Sequence, residues 1–238
     1  MAMPPLYLSR LTLNPRRRDV QRDLANCYAL HQRLLSAFPD AEDIEQARAH
    51  FGVLYRVEQP PAAGPSGLVV LVQSREVPDW SRLPTDYLTH TAVKQIASSY
   101  DALGAGRALV FRLRANPTRR ISDRDSTQAE RWRGKRVELR REEEQLQWLQ
   151  RKGETAGFRV VTVRATPNVA DARVAARGVA SGVRPATGRM TFGDVLFEGR
   201  LVVTDGERFR QALVGGIGSG KGFGFGLLSV APAAAPAG

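Results

Sequence analysis

Leucines open the chain at nearly alternate positions. Leu6, Leu8, Leu11 and Leu13 lie in LYLSRLTLNP, an imperfect period of two closed by Asn-Pro, which predicts a first strand. The run RRRDVQRDLANCYALHQRLLSAFPD (16–40) changes to helical spacing. Asp23 or Asn26 can cap its main segment, and Pro39 stops it. FGVLYRVEQ (51–59) and LVVLVQS (68–74) read as strands around the turn-rich PPAAGPSG, so they predict a hairpin. The order to this point is β-α-β-β, most of a ferredoxin-like unit. Positions 75–104, with Trp80 and Tyr87, show no clear period.

The pattern restarts at position 107. RALVFRLRANP (107–117) places Leu109, Phe111 and Leu113 on one face and Arg112 and Arg114 on the other, again closed by Asn-Pro. A basic segment covers 119–140. EEEQLQWLQRKG (142–153) predicts a helix with Leu146 and Leu149 inside and Gly153 as its C-terminal cap. FRVVTVRATP (158–167) reads as a strand, and the Gly/Ala-rich 169–188 is weakly specified. MTFGDVLFEGRLVVTD (190–205) carries two strand-like runs around Glu198-Gly199. GERFRQALVGG (206–216) is a short helix closed by glycine, LLSV (227–230) is a last strand, and 233–238 is a disordered tail. The second half is therefore another β-α-β-β-α-β, and the expectation is two similar α+β units in tandem.

Composition adds a soluble, ordinary interior and an unusual charge. Of the 238 residues 42% are apolar and 25% charged. No apolar run approaches the roughly 18–20 residues of a membrane helix, and the N-terminus lacks a signal peptide's long apolar core. These features predict a cytoplasmic protein. One cysteine, Cys27, excludes an internal disulfide framework and a cysteine-rich zinc site. The net charge is +11 and the sequence pI about 10.7. Lysine occurs only at 94, 135, 152 and 221, so 35 − 4 = 31 of the cations are arginine. GC-rich base composition can favour Arg over Lys, but it does not produce the net excess. Such a surface suits a polyanion, most often nucleic acid.

GGIGSGKG (215–222) fits G-x-x-x-x-G-K, yet Gly222 stands where a nucleotide-binding P-loop needs Ser or Thr. The predicted order, helix then loop then strand, also reverses the P-loop context. A tight helix-to-strand connection accounts for the glycines equally well, and so does a close approach of backbone N–H groups to a phosphodiester, with Lys221 adding charge. Tyr28 and His31 stand three apart on the predicted helix and share a face with Leu24, Cys27, Leu35 and Phe38, so a packing stripe is a live alternative to chemistry. His50 and His90 have no comparable neighbourhood and read as surface or packing residues. No His/Cys/carboxylate cluster has metal-ligand spacing, and neither a metal nor a cofactor is expected. Glu142, Glu143 and Glu144 suit a helix N-terminus without catalysis. Arg119, Arg120, Arg124, Arg131, Arg133, Lys135, Arg136, Arg140 and Arg141 crowd around Trp132. They read either as an arginine arm for nucleic acid or as a plain charged loop.

Several stretches, in order along 6–232, resemble one family. They are LYLSRLTLNP, RDLANCYALHQRL, VLVQSREVPDWS, FRLRANPTRR, GKRVELR, VLFEGRLVV and GIGSGKGFGFGLLSVAP. The glycine loop is of the type found in the RAMP superfamily of CRISPR proteins, and the whole set resembles the CasE (Cse-type) CRISPR endoribonucleases of type I-E Cascade. The resemblance implies tandem ferredoxin-like (RRM-like) domains with antiparallel sheets. It places 1–98 as the domain with the catalytic helix and 99–232 as the domain with the basic segment and glycine loop. It implies metal-independent cleavage of CRISPR precursor RNA at the repeat hairpin, giving a 2′,3′-cyclic phosphate and a 5′-OH. The product would stay bound, with other Cascade subunits as partners and no membrane. Tyr28 and His31 take the proton-handling roles by this resemblance, His31 most simply at the leaving oxygen and Tyr28 at the 2′-OH. Some relatives carry a lysine where this chain has Ser36, which leaves Arg33 as the nearest cation in sequence, with Lys221 or an arginine from elsewhere as alternative charge stabilisers. Arg119, Arg120, Arg133, Lys135 and Arg136 would hold the stem, with Gly218, Gly220 and Lys221 near the cut. The rival reading is a non-catalytic RAMP-fold subunit that only grips guide RNA.

Overall fold

The computed structural model describes residues 4–39, 44–58, 68–121, 136–162, 170–185 and 188–233. Its first sheet holds β1 (Tyr7–Leu13), β2 (Leu54–Glu58), β3 (Val69–Ser74) and β4 (Leu88–Gln95) in the order β2-β3-β1-β4, antiparallel throughout. This is the ferredoxin-like order. The imperfect leucine alternation at the start has a simple cause. Ser9, Leu11 and Leu13 face the core, and Ser9 is buried there because its hydroxyl accepts from Trp80 Nε1 at 3.1 Å; Leu8 points to the other face. β4 lay in the stretch without a period. It is an edge strand, exposed from Thr89 to Gln95, so no apolar face marks it.

The expected helix over 16–40 is two helices, α1 (Arg18–Ala25) and α2 (Cys27–Leu35), broken at Asn26. Asn26 has extended dihedrals, and its side chain accepts from the Tyr28 and Ala29 N–H groups. Of the two capping candidates Asn26 fills the role. Asp23 is instead buried in an ion pair with Arg33 and accepts the Tyr87 hydroxyl at 3.1 Å. A third helix, α3 (Ile44–His50), leads into β2, and α4 (Ala97–Asp101) follows β4. Leu30, Leu34 and Phe38 pack with Leu11, Val70, Val72 and Tyr87 in the first core. Burial at such positions stabilises by about 1.5–3 kcal/mol per large side chain.

The second sheet repeats the order. β5 (Ala108–Ala115), β8 (Phe158–Val160), β10 (Gly188–Val203) and β11 (Leu228–Pro232) run β11-β5-β10-β8. Its helices are α5 (Glu142–Thr155) and α6 (Gly206–Gly215). Gly153 is not the cap of α5. It lies inside the helix, where a Cβ would meet the Phe158 carbonyl at 2.8 Å, and Ala156 takes the C-cap position. Leu149 and Trp148 are buried, while Leu146 is half-buried. The strand expected over 158–167 is three residues long, with 163–169 outside the described residues. The two runs around Glu198-Gly199 form one continuous strand, β10, and the weakly specified Gly/Ala stretch is β9 (Ala172–Arg184), its antiparallel partner. A ribbon of β6 (Thr118–Arg120) and β7 (Arg136–Glu138) brackets the basic segment.

The halves interlock through Arg56 of β2, which is 2% exposed. It donates to the carbonyls of Arg112 and Leu227, to Ser229 Oγ and to Glu58. Glu58 also pairs with Arg112 at 3.0 Å. The buried guanidinium is thus shared between a carboxylate and three acceptors on the second sheet, the condition under which burying a charge is tolerable.

Candidate functional site

The site is assembled where α2 meets β9. Asn26 Oδ1 accepts from the N–H groups of Tyr28 at 3.1 Å and Ala29 at 3.3 Å, which is a helix N-cap. The same oxygen accepts from the Val183 N–H of β9 at 3.3 Å. The helix terminus is therefore also the docking point of the β9–β10 hairpin. Gly182 makes that approach possible, since a Cβ there would lie 2.9 Å from Cys27 Sγ and 3.0 Å from the Tyr28 nitrogen. From below, the Tyr55 hydroxyl donates to the Cys27 carbonyl at 3.3 Å.

Tyr28 and His31 follow one helical turn apart. Tyr28 is half-buried, and its hydroxyl accepts from Gln32 Nε2 at 3.2 Å. The Arg184 guanidinium, from the end of β9, lies 5.8 Å from its ring centroid. His31 is 7% exposed, and its Nδ1 has no hydrogen-bond partner among the described residues. Its ring meets Phe223 edge-on at 5.7 Å, and Phe223 stacks on Phe192 of β10 at 5.0 Å. Burial, with Arg48 and Arg184 adding repulsion, lowers the His31 pKa to about 4. The resting imidazole is therefore neutral at physiological pH.

The glycine loop closes over this histidine. α6 precedes it and β11 follows it, so the geometry is a helix-to-strand connection and not a P-loop. Gly220 is left-handed, with φ of 75°, and a Cβ there would meet Phe225 at 3.0 Å. A Cβ at Gly218 would meet Trp148, also at 3.0 Å. At Gly222, where a P-loop would carry its hydroxyl, a Cβ would lie 3.4 Å from both His31 Cε1 and Arg48 Cδ. Lys221 Nζ donates to the Gly215 carbonyl at 2.6 Å, and burial, then Arg48 and Lys152, lower its pKa.

The sequence-derived residues separate accordingly. His31 meets the loop at Gly222 and Phe223, next to Lys221, whereas Tyr28 lies one turn away beside Arg184, and Gly218 and Gly220 approach Trp148 and Phe225. Arg33 is engaged elsewhere, with Asp23 at 2.9 Å and over the Tyr87 ring at 5.3 Å. Arg119, Arg120 and Arg136 are exposed on the β6–β7 ribbon, where Arg120 and Arg136 are register partners. Arg133 and Lys135, with Arg124, Arg131 and Trp132, lie outside the described residues. Three contributors escaped the sequence reading: Arg48 on α3, Arg184 on β9 and Phe223 in the loop. Their proximity to His31 is tertiary, and no spacing rule reports it. Among the described residues no group of three His, Cys, Asp or Glu side chains is placed to hold a metal, and no helix is long and apolar enough to cross a membrane.

Two ferredoxin-like sheets in tandem, with a helix-borne histidine held under a C-terminal glycine loop, define the class by fold and site. The chain belongs to the family of CRISPR associated proteins, whose family model matches residues 6–232. It is 40% identical over 230 residues to the CRISPR-associated endoribonuclease Cse3 of Thermus thermophilus, covering 95% of this chain and 100% of that protein. It is 33% identical over 239 residues to the CRISPR system Cascade subunit CasE of Escherichia coli, with the same coverage. A solved structure of Thermus thermophilus Cse3 bound to an RNA representing a pre-cleavage complex superposes with a TM-score of 0.77. That match has 36% identity and covers 96% of this chain and all of the other.

Proposed function

We propose that this chain is an endoribonuclease that cuts CRISPR precursor RNA at the repeat hairpin and keeps the product as a Cascade subunit. The likeness to Cse3 and CasE over nearly the whole length supports this reading. So does one observation of the site: a neutral, buried histidine with an unpartnered Nδ1, one turn from a tyrosine and flanked by two arginines. The division into an N-terminal unit (1–98) and a C-terminal unit (99–232) belongs to the proposal. Leu6, Ile96 and Ala97 cluster before that boundary, and Leu103 joins the second core after it.

The chemistry needs no added group. The ribose 2′-oxygen attacks the adjacent phosphorus and loses its proton, while the bond from phosphorus to the 5′-oxygen breaks and that oxygen gains a proton. The products are a 2′,3′-cyclic phosphate and a 5′-OH. Tyr28 orients the 2′-OH and assists its deprotonation, the proton passing to solvent water, and His31, protonated once substrate is bound, gives its proton to the leaving 5′-oxygen. A phosphodiester entering beside Arg48 and Arg184 offsets their charge, which raises the affinity of the imidazole for a proton when substrate is present. Arg119, Arg120, Arg133, Lys135 and Arg136 hold the stem by phosphate and 2′-OH contacts, as A-form RNA allows.

A cleavage assay on the chain's own repeat RNA, in EDTA and with analysis of the new ends, tests this. His31→Ala should slow cutting by about 10²–10⁴-fold, the range of a lost acid–base group, and leave hairpin binding nearly unchanged. Undiminished cutting by that variant would remove His31 from the mechanism. No cutting by the unaltered chain would leave a passive RNA clamp.

A further inference from the structure

The phosphorane carries more negative charge than the diester, and Ser36 offers no cation to meet it. We infer that Arg48 is the charge-stabilising cation, reaching the non-bridging oxygens of the scissile phosphate beside Gly222, where it and His31 meet. The inference rests on the endoribonuclease reading of His31.

Arg48 is unlike the other shielded arginines of this chain. Arg33 has Asp23 at 2.9 Å, Arg56 has Glu58 at 2.5 Å, and Arg114 has Asp194 at 2.6 Å. Arg48 is half-buried in the last turn of α3, and its nearest partner is the Val53 carbonyl, 3.5 Å from Nη1. No carboxylate pairs with it among the described residues. A guanidinium has five donors in a fork suited to phosphate oxygens, so most of this one's donors are uncommitted. The other cations near the loop are held differently. Lys221 is bound to the Gly215 carbonyl, and Arg184 lies over the Tyr28 ring.

Gly222 locates the meeting point. A Cβ on it would touch Arg48 Cδ at 3.4 Å and lie 3.7 Å from the unpartnered His31 Nδ1. The two side chains therefore flank one small space, and the residue between them has no side chain to fill it. A donor preset at such a position, partly shielded from water, stabilises developing charge strongly. Arg48 forms and breaks no covalent bond. Its N–H groups donate to oxygens whose charge grows as the 2′-oxygen bonds to phosphorus.

Single-turnover cleavage separates this from a structural role. Arg48→Ala should cut about 10²–10³-fold more slowly, the loss seen when one preset oxyanion donor is removed. Binding of a hairpin carrying a 2′-deoxy sugar at the cut should weaken by less than about tenfold, since one cation among many is lost. Guanidinium ion added to the medium should restore part of the Arg48→Ala rate, which it would not do for a merely misfolded site. Gly222→Ala, whose methyl meets its neighbours at ordinary contact distance, should fold and bind yet cut slowly. If Arg48→Ala does not fold, Arg48→Gln keeps the stem and carries the same rate and rescue measurements. A rate within about threefold of the unaltered chain, or a loss that guanidinium does not rescue, overturns the role of Arg48. If His31→Ala is inactive in the same assay, the His31 mechanism stands without Arg48; if it cuts undiminished, the roles of His31 and Arg48 both fall.

Discussion

His31 carries a cost that can be measured without RNA. Folding lowers its pKa from 6.5 to about 4, so the unfolded chain holds the proton more tightly. Its contribution to stability is complete above pH 6.5 and is lost as the pH falls through about 4. The size is about 3 kcal/mol. Urea unfolding at pH 7 and pH 4 should therefore show a steeper loss for the unaltered chain than for His31→Phe, by roughly that amount. Equal losses would mean that His31 is better solvated than its burial indicates. The spacing of Tyr28 and His31 was legible because one helical turn is a local rule. The depressed basicity was not, because Arg48, Arg184 and Phe223 reach the ring from other elements.

At the level of elements, the cap of α2 does two jobs. Asn26→Ala removes the acceptor for two helical N–H groups and for Val183 of the hairpin. It should destabilise the chain by about 1–2 kcal/mol, the upper part of the range for a lost cap, and it should slow cleavage as well. Thermal melts and single-turnover rates on the same sample check both; an unchanged rate would separate the cap from the chemistry. Sequence patterning found the elements with a buried face, whether one, as in β5, or both, as in β3. β5, with Leu109, Phe111 and Leu113 inside, is the clearest. β4 escaped because it is exposed on both faces, and β9 because its Gly/Ala run is packed mainly through backbone pairing with β10. The break at Asn26 was only half legible: the residue reads as a cap, but nothing local says that a preceding helix ends there.

For the whole molecule, the charge is the dominant fact. A net +11 with exposed Arg119, Arg120 and Arg136 on one ribbon should make hairpin binding strongly salt-dependent. On a log–log plot of affinity against salt, removing any one of these three should flatten the slope by about one unit if it contacts a phosphate. A slope that does not change identifies an arginine that faces solvent. The repeated sheet order of the two units was foreshadowed by the repeated element order. The seam between them, with Arg56 spanning from β2 to the carbonyls of Arg112 and Leu227, was invisible until the fold was complete.

The contact of α2 with β9 has its own gauge. The chain's one thiol, Cys27, is buried beneath Gly182 at the contact of helix and hairpin, and burial raises its pKa. Cys27 is 8% exposed, so labelling by a thiol reagent should speed up as helix and hairpin part, and its rate follows that contact. An uncleavable hairpin should slow labelling markedly, whereas a rate indifferent to RNA would show that guide binding leaves the clasp as loose as before.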